Sequence, residues 1–527
     1  MTQPMLKRQP PGWTLAVVCI ATFMLLLDVT VVAVALSDIQ ADFSADLGDL
    51  QWVVDAYTLP LAGFLLTAAT LGDRIGRRRM FLAGMALFTL GSLACAVAWS
   101  PVALDLTRAA QGVGAAMLFG VALPLLAAAY PQPRERATAI GVFGATLAAA
   151  TAVGPLVGGA LVDGPGWRWI FLINVPIGAA ALVAAWLRLD ESRAASARSA
   201  DWFGTALLTG GLLALLFALI RGNAEGWGSA PILGLFAAAG VLLIAFVMRE
   251  ATAAEPMLDP RLFRRPSFGG VSLAALAISG TLIASTTYLG LYLVNTLAYT
   301  PLQAGLRFLP LTLAAFVAAP VAARLVDRVS PRVILGGSLA LAAVGMWLAG
   351  QLDADSRWTA LLAGFIVAGI GMGASSASLS QAALSAADSS RAGMATGTVN
   401  TMRQIGTAAG VAVLGALFQH RAADEMTHQL AAAPLSPAQV TGLADAVGSG
   451  AGIRVADAAP ESARAALAAA ARAATAAGIN EILLGGAIAA AIAAVVAFVV
   501  IRPKRAEVEA ARPPAETEPA EPTTADV

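Results

Sequence analysis

The chain has 527 residues, 58% of them hydrophobic and only 13% charged, with a mean hydropathy of +0.75. Soluble proteins are about 45–50% apolar and about 25% charged, so a soluble globular fold is excluded. Lys plus Arg and Asp plus Glu both number 33, a balance that argues against a nucleic-acid partner or an acidic tail seeking a polycation.

A helix needs about 20 apolar residues to cross about 30 Å of hydrocarbon, whereas transmembrane strands would alternate over about 10. In chain order the apolar runs are 13–36, 52–71, 80–99, 102–127, 137–161, 169–187, 203–220, 232–247, 268–294, 302–321, 333–349, 358–384, 394–418 and 479–501, which predicts an all-α membrane protein with 14 transmembrane helices. Lys7, Arg8 and Ala33-Val34-Ala35 imitate a signal peptide, but the first run is too long for one and is read as a retained helix. The residues 419–478 read as a loop with helix starts at Ser436-Pro437 and Pro460-Glu461, and 502–527 as a disordered tail. Cys19 and Cys95 sit in apolar runs and offer neither a disulfide framework nor a metal pair.

Basic loops stay cytoplasmic. With the N-terminus inside, 22 Lys and Arg residues fall on inner segments and 7 on outer ones, so both termini are expected in the cytoplasm. Most tryptophans, among them Trp13, Trp52, Trp99, Trp169, Trp202 and Trp358, mark span ends, as interfacial anchoring requires. The basic hairpin around Asp73 recurs around Asp327, 254 positions later, and parallel repeats of this kind are a sign of alternating-access transporters. The expected organisation is a six-helix half (1–200), a two-helix insert (201–266), a second six-helix half with the outer loop (267–501) and a tail. The insert, which lacks a deep charge or glycine motif, is expected to tolerate change better than the halves.

Ionisable groups in hydrocarbon are expensive and are retained mainly for function. Asp28 is the deepest carboxylate; burial favours its neutral form, which suits a group that binds and releases a proton as water access alternates. A carboxylate held for packing alone, by one arginine or by Thr30, is the competing reading. Asp55, less deep, would attract a cationic substrate or merely face an outer vestibule. Arg108 would be the counter-charge to Asp28 or Asp55; alternatively it snorkels outward beside Asp105. Asp73 with Arg74, Arg77 and Arg78 would form charge locks at the inner helix ends besides setting topology, and Gly76 belongs to the same conformational motif. Gly154, Pro155, Gly158 and Gly159 would let the fifth helix bend and pack closely.

The same residues carry a family resemblance over roughly residues 13–418. Asp73-Arg74-Ile75-Gly76-Arg77-Arg78 resembles the loop signature of the major facilitator superfamily, and Arg108-Ala109-Ala110-Gln111-Gly112-Val113-Gly114 its fourth-helix signature. Gly154-Pro155-Leu156-Val157-Gly158-Gly159 resembles the fifth-helix motif of its antiporters. Leu27-Asp28-Val29-Thr30, Trp167-Arg168-Trp169-Ile170-Phe171, Asn174-Val175-Pro176 and Gly305-Leu306-Arg307-Phe308-Leu309-Pro310 resemble the 14-helix drug:proton antiporter branch. The departures are Ala69 and Ala150 in place of leading glycines, and Ala33 and Ser37 where the branch usually carries Asn and Pro. The resemblance implies a proton-coupling role for Arg108 and a fifth-helix surface that closes the seam between halves.

Lys7 and Lys504 are the only lysines, so no GxxxxGK phosphate loop exists and ATP-driven pumping by this chain is excluded. His420 and His428 both fall in the outer loop, and no metal set, cofactor motif or cluster of enzymatic groups is visible. A cavity of Asp28, Asp55, Tyr288, Tyr292, Asn295, Phe308 and Gln404 would suit an amphipathic, aromatic or cationic compound. Multidrug or antibiotic efflux from a bacterial cell membrane, by a monomer in exchange for protons, is the expected function. A proton-coupled exporter or uptake symporter of one metabolite is the alternative.

Overall fold

The computed structural model describes residues 10–43, 47–193, 201–253, 260–325, 328–385, 392–431, 433, 435–456 and 459–501, and among these there is helix and no strand. The helices are α1 (Pro11–Phe43), α2 (Leu47–Ile75), α3 (Arg77–Ala96), α4 (Pro101–Ala129), α5 (Pro133–Asp163), α6 (Trp169–Leu172), α7 (Asn174–Arg188), α8 (Trp202–Glu225), α9 (Ala230–Thr252), α10 (Pro266–Ile278), α11 (Ala284–Leu291), α12 (Pro301–Leu325), α13 (Pro331–Ala349), α14 (Leu362–Ser385), α15 (Ala392–Gln429), α16 (Pro437–Gly448) and α17 (Glu461–Val500). Thirteen stretches are long and apolar enough to cross a membrane, and the remaining predicted span, 137–161, lies inside the 31-residue α5. The chain is a multi-pass membrane protein.

Two spans are built from pieces for local reasons. Pro176 has no N–H to give the carbonyl of Leu172, and the helix is interrupted beside it at Ile173, separating α6 from α7. The span from α10 to α11 is joined and extended by wider π-helical turns at Ser279–Ile283 and Tyr292–Thr296. The outer face of α17 is apolar, with Leu484, Ile488, Ile492, Val495 and Val499 exposed at helical spacing.

Successive spans alternate in direction, which defines a near face, where α1 begins, and a far face. Within α1 to α7 one buried apolar cluster joins Val17, Leu25, Tyr57, Phe81, Phe88 and Leu118. A second joins Leu27, Val31, Val53, Leu104 and Phe171. A separate, larger cluster spans Leu262 to Ile501 and includes Phe268, Tyr292, Phe365, Phe418 and Ile482. Small residues bring the two sets of helices together on the near-face side. Gly141 and Gly144 of α5 face Ala319, Pro320 and Ala323 of α12, and Gly397 of α15 lies against Leu66 and Ala69 of α2. The helix α8 joins this line, since Thr67 and Thr209 share a 2.9 Å hydrogen bond and Leu66, Leu208, Leu212 and Phe246 cluster with Ile405 of α15. By contrast α9 turns Leu233, Val241, Ile244, Val247 and Met248 outward.

Helix lengths depart from the apolar runs in three places. α1 passes the predicted end at 36 and continues to Phe43; Ser37 stands where the resembled branch carries proline, and a residue with a free N–H leaves the ladder unbroken. The residues 419–478, expected as a loop with helix starts at Ser436-Pro437 and Pro460-Glu461, are mostly helix, and α16 and α17 begin at those two places. α15 runs on to Gln429, α17 starts at Glu461, and α16 begins in a capping box where Gln439 N donates to Ser436 Oγ (3.3 Å) and Ser436 N to Gln439 Oε1 (2.9 Å). Alanine has the best helix propensity, so this alanine-rich segment folds on without needing hydrocarbon around it. Its Met426, Leu430, Ala444, Val447, Ala456, Leu467 and Ala471 extend the larger core cluster beyond the bundle. Lys7, Arg8, Val326, Asp327, Arg391 and the tail 502–527 lie outside the described residues.

Candidate functional site

The first seven helices enclose a buried polar cluster. Asp28 of α1 is 0% exposed and Arg108 of α4 is 1% exposed, and the Arg108 guanidinium (Nη1) donates to Asp28 Oδ2 in a salt bridge. The other carboxylate oxygen, Oδ1, accepts from Gln111 Nε2 (2.9 Å) and from Asn174 Nδ2 of α7 (3.0 Å). Arg108 also donates through Nη1 to Gln111 Oε1 (2.8 Å) and through Nε to the carbonyl of Val53 in α2 (3.1 Å). Its guanidinium carbon sits 4.3 Å over the ring of Tyr57, whose hydroxyl donates to the Leu25 carbonyl at 3.3 Å. Arg108 is thus turned inward to Asp28 rather than snorkelling outward. A charge pair out of water is tolerable only when further hydrogen bonds satisfy both partners, and α2, α4 and α7 supply them here.

Glycines make the convergence possible. A Cβ on Gly112 would lie 2.4 Å from the Tyr57 carbonyl oxygen, and one on Gly91 of α3 3.1 Å from the Gln111 backbone. On α5 a Cβ at Gly154 would fall 1.7 Å from Thr30 Oγ1 and one at Gly158 3.1 Å from the Val31 Cα. Thr30, two positions after Asp28, is tied to its own helix through Leu26 and Leu27 carbonyls, so it cannot simply swing aside. The α5 glycines therefore set how closely α1 approaches. Pro155 lies in the same helix, and Gly159 is half-buried there.

Two further clusters sit toward the helix ends. On the near face Arg77 Nε donates to Asp73 Oδ1 at 2.7 Å, and the backbone N–H of Arg77 bonds to the Ser192 carbonyl at 3.0 Å. The Arg78 N–H donates to Glu191 Oε1 (3.1 Å) and its side chain to the Trp186 carbonyl, while Arg74 closes the last turn of α2. Gly76 has a φ of 123°, and a Cβ there would lie 2.7 Å from the Glu191 carboxylate. The hairpin thus clips α2 and α3 to the chain leaving α7. On the far face Arg168 Nη1 donates to Asp42 Oδ2 at 2.7 Å and Trp167 Nε1 to the same oxygen at 3.2 Å. The Arg168 guanidinium holds the Asp42 carboxyl below its ordinary value.

The remaining expected site residues are not gathered around Asp28. Asp55 is buried with Oδ2 lacking a hydrogen bond, and Arg221 of α8 is the cation acting on it. Tyr288 donates to the Val411 carbonyl at 2.6 Å and stacks on Phe418, and Tyr292 is buried in the larger core. Asn295 donates to the Gly450 carbonyl at 2.7 Å, which places it under the far-face helical cap. Phe308 stacks on Phe365 with centroids 5.3 Å apart, and Gln404 is half-buried on α15. Among the described residues none of these five bonds to Asp28 or Asp55.

Sequence reasoning missed Asn174 and Glu191 as partners. A lone amide five positions into an apolar span is a signal in its own right. An acid directly after the span ending near Arg188, opposite the Arg77-Arg78-Arg79 run, is another.

The chain belongs to the Major Facilitator Superfamily, which its sequence matches over residues 18–411. It is 35% identical over 448 residues to the "Tetracenomycin C resistance and export protein" of Streptomyces glaucescens, covering 84% of this chain and 83% of that protein. It is 38% identical over 411 residues to the "Multidrug resistance protein Stp" of Mycobacterium tuberculosis, covering 77% and 75% of the two chains. The "Methylenomycin A resistance protein" of Streptomyces coelicolor is 35% identical over 409 residues, 78% of this chain and 86% of that one. Among solved structures, the human organic anion transporter MFSD10 superposes with a TM-score of 0.60 at 14% identity, covering 93% of this chain and all of that one. A bacterial homologue of the human lysosomal transporter Spinster gives 0.55 at 18% identity, covering 95% and 98%. These two likenesses concern the fold alone.

Proposed function

We propose that this protein exports amphipathic or cationic drug-like compounds in exchange for protons, by alternating access between two six-helix halves. The observation that carries this reading is the salt bridge of Asp28 and Arg108, fully buried at the middle of the first half, in a setting where an unneeded charge pair would be costly. Protonation of Asp28 cancels the attraction to Arg108 and frees α1 and α4 to separate; release of the proton on the other side restores the pair. Asp55 would meet the cationic part of a substrate. In this reading the small-residue contacts of α5 with α12 and of α15 with α2 are the seam that opens, and the Asp73–Arg77 clip steadies the inner ends of α2 and α3.

The halves are 1–200 and 267–501, with 201–266 inserted between them. The near face is cytoplasmic, the membrane is the bacterial inner membrane, and the unit is a monomer whose partners are lipid, protons and the transported compound. Relatives named for resistance to tetracenomycin C and methylenomycin A support antibiotic-like substrates. A membrane-potential-scale gradient of about 180 mV supplies about 4 kcal/mol per proton, enough for a roughly thousandfold concentration ratio. The test is dye efflux from proteoliposomes holding the purified chain. Efflux is expected to follow an imposed proton gradient and to stop with an uncoupler, and efflux that continues in uncoupled vesicles contradicts the proposal.

A further inference from the structure

Two amides touch the same oxygen of Asp28, and they are not equivalent. Gln111 is locked: its Oε1 accepts from Arg108 at 2.8 Å, and its Nε2 donates to Ser92 Oγ at 2.8 Å as well as to Asp28 at 2.9 Å. Ser92 in turn gives its hydroxyl proton to the Phe88 carbonyl at 2.8 Å, so it needs Gln111 as a donor. Turning that amide over would set its oxygen against a carboxylate and its nitrogen against a guanidinium. Asn174 has no such constraint. It is 1% exposed, its Nδ2 donates to Asp28 at 3.0 Å, and its Oδ1 is buried with no hydrogen-bond partner among the described residues. A buried acceptor left unmade costs about 1–3 kcal/mol, so its retention calls for an explanation.

We infer that Asn174 is a swivel that holds Asp28 in both of its protonation states. This rests on the reading of Asp28 as the proton-coupling group. With Asp28 charged, Asn174 donates through Nδ2, as the structure has it. When a proton from water adds to Asp28 Oδ1, that oxygen becomes an O–H donor and no longer suits two N–H groups. A half-turn of the Asn174 amide about Cβ–Cγ then presents Oδ1 to accept the new O–H. The half-turn exchanges the Asn174 Nδ2 donation to Asp28, which the proton has already spoiled, for a bond from the Asp28 O–H to Asn174 Oδ1. The amide thus lowers the cost of the neutral state while Gln111 stays fixed on Arg108.

The ionisable groups facing Asp28 are Arg108 from α4, Tyr57 from α2 and Cys95 from α3. Asp55 lies further along α2. The helix α5 carries its charges only near its ends, at Arg134, Glu135, Arg136 and Asp163, α6 carries none, and α7 has only Arg188 in its last turn. Tyr57 gives its hydroxyl to the Leu25 carbonyl and Cys95 its thiol to Thr107 and Gln111, whereas Asn174 already touches Asp28 Oδ1 and carries a carbonyl oxygen that can accept from it.

The test is the pH-difference infrared spectrum of the purified full chain in lipid nanodiscs, read with gradient-driven transport. Acidification of the wild type should raise a carboxyl C=O band that Asp28→Asn removes. In Asn174→Leu that band should move to higher wavenumber, because the O–H has lost its acceptor, and uphill transport should fall about tenfold. Asn174→Thr, whose hydroxyl both donates and accepts, should return the band and most of the transport. A band unmoved in both variants overturns the inference and leaves Asn174 a structural donor. Absence of any band removed by Asp28→Asn overturns instead the proton-coupling reading beneath it.

Discussion

The helices α1 to α7 and the helices α10 to α17 are built on similar spans but bury different things. The first set closes around a charge pair, Asp28 and Arg108, with Gln111 and Asn174 bonded to Asp28 and Ser92 bonded to Gln111. The second closes around alanine, leucine and aromatic rings, with Tyr288 on Phe418 and Phe308 on Phe365. An apolar core is stabilised by contact area and tolerates small trims. A buried charge network is held by complementarity, and one missing member leaves another stranded. The first region is therefore the one suited to a two-state response to a proton, and the second is suited to be the frame against which it moves.

This contrast can be broken most severely at Arg108. Arg108→Leu strips Asp28 of its counter-ion and is expected to cost about 3–5 kcal/mol while Asp28 stays ionised. Melting of the detergent-purified protein should show that loss, and lowering the pH should recover part of it as Asp28 is neutralised. Next is Gly154→Ala, which drives a methyl into Thr30 and pushes α1 away from α5. Overpacking of this kind costs about 1–3 kcal/mol, and transport should fall further than expression because the shift is delivered two positions from Asp28.

The same severity is not expected in the second region. Tyr288→Phe removes one hydrogen bond to the Val411 carbonyl, costs about 1 kcal/mol in a melt, and should leave proton coupling unchanged. Smallest of all is the far-face pair of Asp42 and Arg168, where the side chains are 42% and 40% exposed. Because Arg168 holds the Asp42 carboxyl below its ordinary value of 3.8, the pair's contribution is present above that value and is lost only as the pH falls through the lower, folded one. Stability of Arg168→Ala should therefore track the wild type in parallel between about pH 5 and 8.

Much of this arrangement was legible in the sequence, and the limits are physical. Apolar runs located the spans because hydrocarbon demands them, but they could not see where helices outlast the membrane. That is decided by local chemistry: Ser37 in α1 lets the helix run on, and the start of α17 was legible only through its Pro460-Glu461 signal, not through its apolar run. Asp28 and Arg108 stood out because charge in a span is rare. Their pairing, and the parts of Asn174 and Glu191, depend on which helices touch, and no single helix's pattern records that. The aromatic and amide residues from Tyr288 to Phe308 share composition with a binding cavity, but the structure puts the Tyr288 and Phe308 rings in core stacks and Asn295 under the far-face cap.

The most direct measurement is proton movement coupled to substrate in proteoliposomes carrying Asp28→Asn. An amide keeps the size and most hydrogen bonds of the carboxyl but cannot titrate, so the variant should still bind substrate, while neither moving protons when substrate is added nor concentrating substrate against a gradient. Asp28→Glu should keep partial transport with an altered pH dependence. Uphill, proton-coupled efflux by a folded and inserted Asp28→Asn protein would contradict the assignment, make the buried pair structural, and move the coupling to another acid such as Asp55.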